Sequence, residues 1–532
     1  MKVNGTICRH PLASKRFLMV FRDERGEEMP EMFELLTRYE AVAPIARGTY
    51  GFVCAARDNE LVEEFQLNPP AEYSDENLTK EERAEMYEVN TTVAVKKLRQ
   101  LFERNQPRMW LCATREIQLM MAFNHENVMS ATDFFIPLGE CETMTYESVE
   151  HLRLNFDSVY VVMKKMDYTL REVLESSSYT PPEEDKPGMG EEAAAVAEDG
   201  EEGKMPPGAT ASPAETGLGE RAKARILTCP ITHVPLHPLQ RDYRMYILYQ
   251  LLRGVGYLHL CPVIHRDIKP ENIMLDRNYS TRVCDFGQGR DAAVLGMNDV
   301  LQTYLDNCTQ WYAAPETLTL NNVPSSTGFV DQKSFHGADV WSIGCIAAEM
   351  LMGRPLFYSK HFGGTGQLHA IMGVLGSPTD EEVENILQHR DVDTRKVFQE
   401  MLKQEMQQYA HKKSQLRQLL TSPYNDVDEE EVKLIENFLR YGPCRRMTIQ
   451  EALQSPFFIN EGYDPVIDPD DTATHVRAVQ ADDIVEAVKG REFLWSLFLQ
   501  RHPEVQELVG MLERRKSCTL INGDARGLCV AR

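Results

Sequence analysis

Between residues 41 and 57 apolar positions flank Gly48-Thr49-Tyr50-Gly51 on both sides, a pattern that predicts two strands joined by a glycine turn. Val93-Ala94-Val95-Lys96 predicts a further short strand, and the run Val159 to Met163 predicts a buried one. Beyond these the period lengthens. A helical pattern begins at Arg115-Glu116, another helix ends near Leu174, and Tyr243 to His259 reads as a long helix. The pattern therefore divides near Met166, with strands before it and helices after it.

Three stretches break the pattern. Residues 1–38 have mixed charge and no repeat, so they read as an N-terminal extension. Residues 59–90 are acidic and polar, contain Pro69-Pro70, and read as a surface excursion. From about 176 to 222 the composition turns to Gly, Pro, Ala, Ser and Thr with acidic clusters. Such a stretch lacks the large apolar side chains that could offset its ordering entropy, so it reads as a disordered acidic insertion within a domain.

The candidate chemistry lies around residues 265–287. His265-Arg266-Asp267-Ile268-Lys269-Pro270-Glu271-Asn272 is followed by Asp285-Phe286-Gly287. Asp267 has the chemistry to take the proton of a substrate hydroxyl, and Asn272 and Asp285 can hold magnesium against phosphates. Upstream, Lys96 can neutralise the α- and β-phosphates of a nucleotide, with Glu116 as its partner. Downstream stand Ala314-Pro315-Glu316 and Asp339-Val340-Trp341-Ser342-Ile343-Gly344. Each motif alone arises by chance, but all of them in this order resemble a protein kinase.

Composition limits the alternatives. The chain has 532 residues, 42% of them hydrophobic, enough for a two-lobed core with extensions. Its net charge of -24 argues against nucleic acid or an anionic membrane as the main partner and favours basic peptides. The twelve cysteines show no tight paired spacing, which points to free thiols in an intracellular compartment, cytoplasm or nucleus. Cys229, His233 and His237 carry metal-ligand chemistry, but Pro230 and Pro235 break any helix there and a fourth ligand is missing. No apolar run approaches the roughly 20 residues that span a bilayer.

Further stretches closely resemble the mitogen-activated protein kinase family: Thr114-Arg115-Glu116-Ile117-Gln118-Leu119-Met120, His125-Glu126-Asn127, Val283-Cys284-Asp285-Phe286-Gly287, Gly353-Arg354-Pro355-Leu356-Phe357 and His369 to Pro378. The resemblance covers about residues 40–470. It implies an α+β bilobal fold, with a β-rich N-lobe at 39–166 and a helical C-lobe at 167–459, and ATP with Mg²⁺ in the cleft between them. An N-terminal extension (1–38) and a C-terminal extension (460–532) would flank the kinase domain.

The resemblance assigns Asp267 and Lys269 to catalysis, with Lys96 and Glu116 as the phosphate clamp. It assigns Ile45, Ala46, Arg47, Gly48, Thr49, Tyr50, Gly51, Phe52, Val53 and Ala94 to ATP, with Met163 as gatekeeper and Lys164 and Met166 in the adenine-binding hinge. Lys269 implies a serine/threonine acceptor, and relatives imply proline after it. The alternative is a pseudokinase or scaffold that keeps the fold and binds partners. Protein substrates and an upstream activating kinase are the implied partners, with an acidic docking segment at Asp464 and Asp468.

The chain departs from the family in three places. Ala46 stands where the first glycine of the nucleotide-covering loop is expected. The paired Thr-X-Tyr of the activation loop is replaced by Tyr304-Leu305-Asp306, preceded by Thr303, while Gln310 and Ala313 replace the arginines that receive phosphotyrosine. Arg115, Arg266 and Arg290 nevertheless match the three arginines that gather around phosphothreonine. A single-site switch at Thr303 or Tyr304 is therefore expected, with Asp306 adding fixed charge.

Overall fold

The computed structural model describes residues 2–3, 6–7, 14–22, 26–48, 51–74, 78–103, 109–137, 146–176, 239–291, 310–318, 332–359, 364–387, 412–421, 427–467 and 487–507, with scattered positions in 395–409 and 509–514. The acidic insertion, Thr303, Tyr304, Asp306, Asp468, and Cys229 with His233 and His237 lie outside the described residues, as do Thr49 and Tyr50.

A five-stranded antiparallel sheet forms the N-lobe: β3 (Tyr39–Gly48), β4 (Gly51–Asp58), β5 (Thr92–Leu98), β6 (Ala131–Phe135) and β7 (Val159–Lys164), in the spatial order β3-β4-β5-β7-β6. Its register sets Val53 opposite Lys96 and Ala94 opposite Met163, so the glycine turn, the lysine and the start of the hinge share adjacent strands. Helix α3 (Met109–Ala122) packs behind the sheet and begins before the pattern at Arg115 suggests, because Trp110 to Ala113 are themselves buried.

Residues 1–38 read as an N-terminal extension of mixed charge, and within them the structure describes regular strands. Strands β1 (Ser14–Arg22) and β2 (Glu28–Leu36) form a hairpin above the sheet. The Phe21 ring packs against Phe33 and Phe52, Glu34 N donates to Tyr160 Oη at 3.0 Å, and Lys97 Nζ pairs with Glu31 at 2.7 Å. The hairpin thus shares the core of the N-lobe. The excursion at 59–90 holds two helices, α1 (Asn59–Leu67) and α2 (Lys80–Thr91), each with a side-chain cap: Asp58 for α1 and a Thr79–Glu82 capping box for α2.

Below the hinge the chain is mainly helical. It runs through α5 (Leu170–Ser176), α6 (Arg241–Leu260), the short strands β8 (Ile273–Leu275) and β9 (Thr281–Val283), α7 (Gln332–Met352), α8 (Glu429–Phe438) and α9 (Ile449–Leu453), while α4 (Tyr146–Asn155) precedes the hinge strand. Helix α6 is buried on nearly every side, and Arg244 on it pairs with Glu431 of α8 at 2.7 Å, both almost fully buried. The last described helix, α10 (Ala487–Arg501), returns to the N-lobe and packs on α3, α4 and β6. Among the described residues no helix is long and apolar enough to cross a membrane.

Candidate active site

The floor of the cleft is fixed by one buried carboxylate. Asp339 on α7 accepts hydrogen bonds from His265 N and Arg266 N, both at 2.9 Å, and lies 3.0 Å from His259 Nε2. Burial would raise this carboxyl, yet these hydrogen bonds and the nearby histidines hold it below its ordinary value. The anchoring matters because Arg266 sits at φ 71° and Asp285 at φ 67°, left-handed conformations costly for non-glycine residues that persist only where the surroundings impose them.

On this floor Asp267 Oδ2 receives Lys269 Nζ at 2.8 Å and Asn272 Nδ2 at 3.0 Å, while Asn272 Nδ2 also donates to the Asp267 carbonyl at 2.8 Å. Burial pushes the Asp267 carboxyl up, and the Lys269 ammonium opposes that. Asn272 spends its amide on Asp267, which leaves its side-chain oxygen as the acceptor for a cation. Cys284 N bonds Asn272 O at 2.9 Å and His265 Nε2 meets Cys284 O at 3.0 Å, so the two motifs are tied together immediately before Asp285.

The roof supplies the cation. Lys96 on β5 forms an ion pair with Glu116 on α3, both side chains largely buried. Burial alone would lower the Lys96 ammonium, but Glu116 and Asp285 together hold it above its ordinary value, so it stays charged. Phe286 is fully buried and packs edge-on against Phe123 and His265, which directs the neighbouring Asp285 towards Lys96. Asp285 Oδ1 is buried without a hydrogen-bond partner. A carboxylate oxygen buried without a hydrogen-bond partner is a costly arrangement that a hard cation would satisfy.

The glycine turn is described in part. Gly51 packs so tightly against β5 that a Cβ there would lie 1.8 Å from Lys97 O, so only glycine fits. Ala46 lies on β3 next to an irregularity in the register between Pro44 and Ala46. Ile45, Ala46, Arg47 and Gly48 are exposed, Phe52 is buried, and Val53 is half-buried facing the cleft strands. Ala94 is buried, Met163 packs against the core, Lys164 is exposed and Met166 is buried.

Arg115, Arg266 and Arg290 are all buried, at 1%, 8% and 2% exposure. The pairing of Ile264 with Arg290 sets Arg290 beside the strand that leads into Arg266. Arg115 and Arg290 both lie near the Cys112 thiol, which burial raises against their opposing charge. Asp464 is exposed: its Oδ1 accepts Val466 N at 2.9 Å and its carbonyl accepts Tyr249 Oη at 2.9 Å.

Sequence reading missed one cluster here. Arg171 on α5 holds Glu271 Oε1 at 2.9 Å, Glu349 Oε1 at 2.7 Å and Tyr312 Oη at 2.5 Å, and Tyr312 Oη donates to Glu349 Oε2 at 2.5 Å. Arg171, Glu271 and Glu349 border a cavity of about 620 Å³. Deeper in the C-lobe, Arg446 grips Glu316 through two bonds of 2.6 and 2.7 Å, tying the Ala-Pro-Glu motif to the base of the lobe.

Comparisons with known proteins agree with this arrangement. The family model described as a protein kinase domain matches residues 236–458. Mitogen-activated protein kinase 7 of Arabidopsis thaliana is 25% identical over 477 residues, covering 89% of this chain and 92% of that protein. Mitogen-activated protein kinase homolog NTF3 of Nicotiana tabacum is 27% identical over 481 residues, with 89% and 91% covered. Mitogen-activated protein kinase 4 of Oryza sativa subsp. japonica is 26% identical over 481 residues, with 90% and 94% covered.

Proposed function

A divergent member of the mitogen-activated protein kinase family, this chain is a serine/threonine protein kinase, and we propose that it works with Asp267 as base, Lys96 and Glu116 as phosphate clamp, and Asn272 and Asp285 as holders of Mg²⁺. The observation that carries the assignment is the buried, unpartnered Asp285 Oδ1, whose carboxylate acts on the charged Lys96. Among the described residues no group of three or more His, Cys, Asp and Glu side chains could hold a metal alone. Two protein oxygens completed by phosphate oxygens are a suitable set for magnesium, which binds through few carboxylates plus nucleotide. When bound, Mg²⁺ spreads the charge of the transferring phosphoryl group. The chain itself contributes the rest: Lys96 orients the phosphates, Lys269 and Asn272 fix the Asp267 carboxylate, and Asp267 receives the proton of the acceptor hydroxyl.

The acceptor is proposed to be serine or threonine followed by proline, in intracellular protein substrates, with a docking contact at Asp464 and Asp468 for basic-hydrophobic peptides. Regulation is proposed to run through one phosphate at Thr303 or Tyr304, delivered by an upstream kinase. Arg115, Arg266 and Arg290 are buried, and the reading is that a phosphate on that segment would be received by them through charge-assisted hydrogen bonds. A positional peptide library tests specificity: selection for proline after the acceptor is expected, and its absence would overturn the proline assignment. Magnesium-dependent nucleotide binding of Asp285→Asn, followed by calorimetry, tests the metal assignment. Loss of the magnesium dependence is expected, and wild-type dependence would remove Asp285 from that role.

A further inference from the structure

Strands β4 and β5 pair directly, Arg57 opposite Thr92, so a tight turn would suffice to join them. Residues 59–91 instead fold into α1 and α2, with Phe65 packed edge-on against Tyr73 and Tyr87. Helix α2 runs without a break into β5, which bears Lys96 and pairs with the hinge strand through Val93 and Lys164. Any displacement of α2 is therefore felt at both the lysine and the hinge.

The other end of the contact lies in the C-lobe. Glu85 of α2 forms an ion pair with Arg277, in the turn between β8 and β9. Arg277 also holds Asp167, just past the hinge, through its backbone N at 3.1 Å and Nε at 3.3 Å, and Asp167 N bonds Leu275 O at 3.0 Å. Lys165 lies 4.0 Å from Glu88 and 3.5 Å from Asp167, and Lys164 lies 3.5 Å from Asp276. The helix, the hinge and the turn together enclose a cavity of about 340 Å³. One exposed ion pair contributes little, but these pairs share partners and join two bodies that must separate when the lobes open.

We propose that α2 and the Asp276–Asn278 turn form an ion-paired strap across the hinge, with Glu85 and Arg277 as positioning residues that restrain lobe opening and slow nucleotide release. The inference rests on the reading of the cleft as a nucleotide site. Release of product by domain opening limits turnover in many enzymes, so the strap would set kcat as well as nucleotide affinity.

The test uses full-length protein as wild type, Glu85→Arg, Glu85→Gln, Arg277→Glu, and the double reversal Glu85→Arg with Arg277→Glu. Dissociation of a fluorescent ADP analogue is followed by stopped flow, and hydrogen exchange is read at the amides of residues 164–167. Each single variant is expected to release the analogue about 3- to 10-fold faster and to raise hinge exchange, with the double reversal returning both to within about 2-fold of wild type. Glu85→Gln removes charge from a partly exposed position and guards against misfolding of the reversals. Unchanged release and exchange in the single variants, or a double reversal that restores neither, overturns the proposal. Wild type that binds no ADP analogue would instead overturn the nucleotide reading, and hinge exchange would still decide whether the strap exists.

Discussion

The two walls of the cleft are built by different means. The C-lobe wall is held from within: Asp339 fixes the backbone at His265 and Arg266, Asn272 fixes Asp267, and Arg446 locks Glu316 below. The N-lobe wall depends on additions. Its lysine is held by one ion pair to α3, and α3 is braced by α10, where Gly490 approaches the Trp110 ring so closely that a Cβ would lie 2.4 Å from it. Trp495 and Phe498 of α10 are buried, and Arg491 Nε donates to Phe156 O at 3.0 Å. A catalytic loop needs fixed polar groups at short range, whereas a movable lobe needs an orientation that distant parts of the chain can set.

Arg446→Ala would take both guanidinium bonds from the buried Glu316 carboxylate, so a loss of about 3–5 kcal/mol in global stability is expected in denaturant melts. A loss below about 1 kcal/mol would mean the C-lobe wall does not depend on that pair. Phe498→Ala removes a fully buried ring, and about 3 kcal/mol should be lost locally. The account expects faster hydrogen exchange over α10 and α3 and a raised KM for ATP while the C-lobe stays protected. Uniform loss of protection in both lobes would contradict the separation.

Asp339→Asn takes an acceptor from a backbone N–H, which should cost about 1–3 kcal/mol and lower kcat with little change in nucleotide affinity. Equal losses in both would place the anchor under the whole cleft and not under the catalytic loop alone. The smallest effect concerns pH. Burial alone would keep His502 neutral, but bonds to Asp133 and the Phe134 carbonyl, with Glu504 nearby, raise its imidazole above the usual value. The stabilisation is thus fully present below about pH 6.5 and is lost as pH rises through the folded value. Once exchange is corrected for its intrinsic rise with pH, the protection of α10 amides should fall across that window in wild type and stay flat in His502→Gln.

Much of the C-lobe wall could be read in the sequence, because Asp267, Lys269 and Asn272 touch each other within one short motif, and Arg446 and Glu316, though 130 residues apart, are paired by the family resemblance. The N-lobe additions could not. The hairpin β1-β2 shows no clean alternation because its outer face is also apolar, with Leu18, Val20 and Met32 exposed opposite the buried Met19, Phe21 and Phe33. Helix α10 declares its partner only in three dimensions, since Arg491 meets Phe156 and His502 meets Phe134 from over three hundred residues away in the chain. Arg171 reaches Glu271 and Glu349 across gaps of 100 and 178 residues, and no local spacing announces such a cluster.

The central claim is that these two walls form a working phosphotransfer site. The direct test is transfer of labelled γ-phosphate from ATP to a generic basic protein by wild type, Asp267→Ala and Lys96→Met, each before and after treatment with an upstream kinase. Removing the base or the clamp is expected to lower kcat about 10²- to 10⁴-fold while the variants remain folded by circular dichroism. Wild-type transfer no greater than that of the two variants, even after treatment, would contradict the account and make the chain a binding scaffold on a kinase fold.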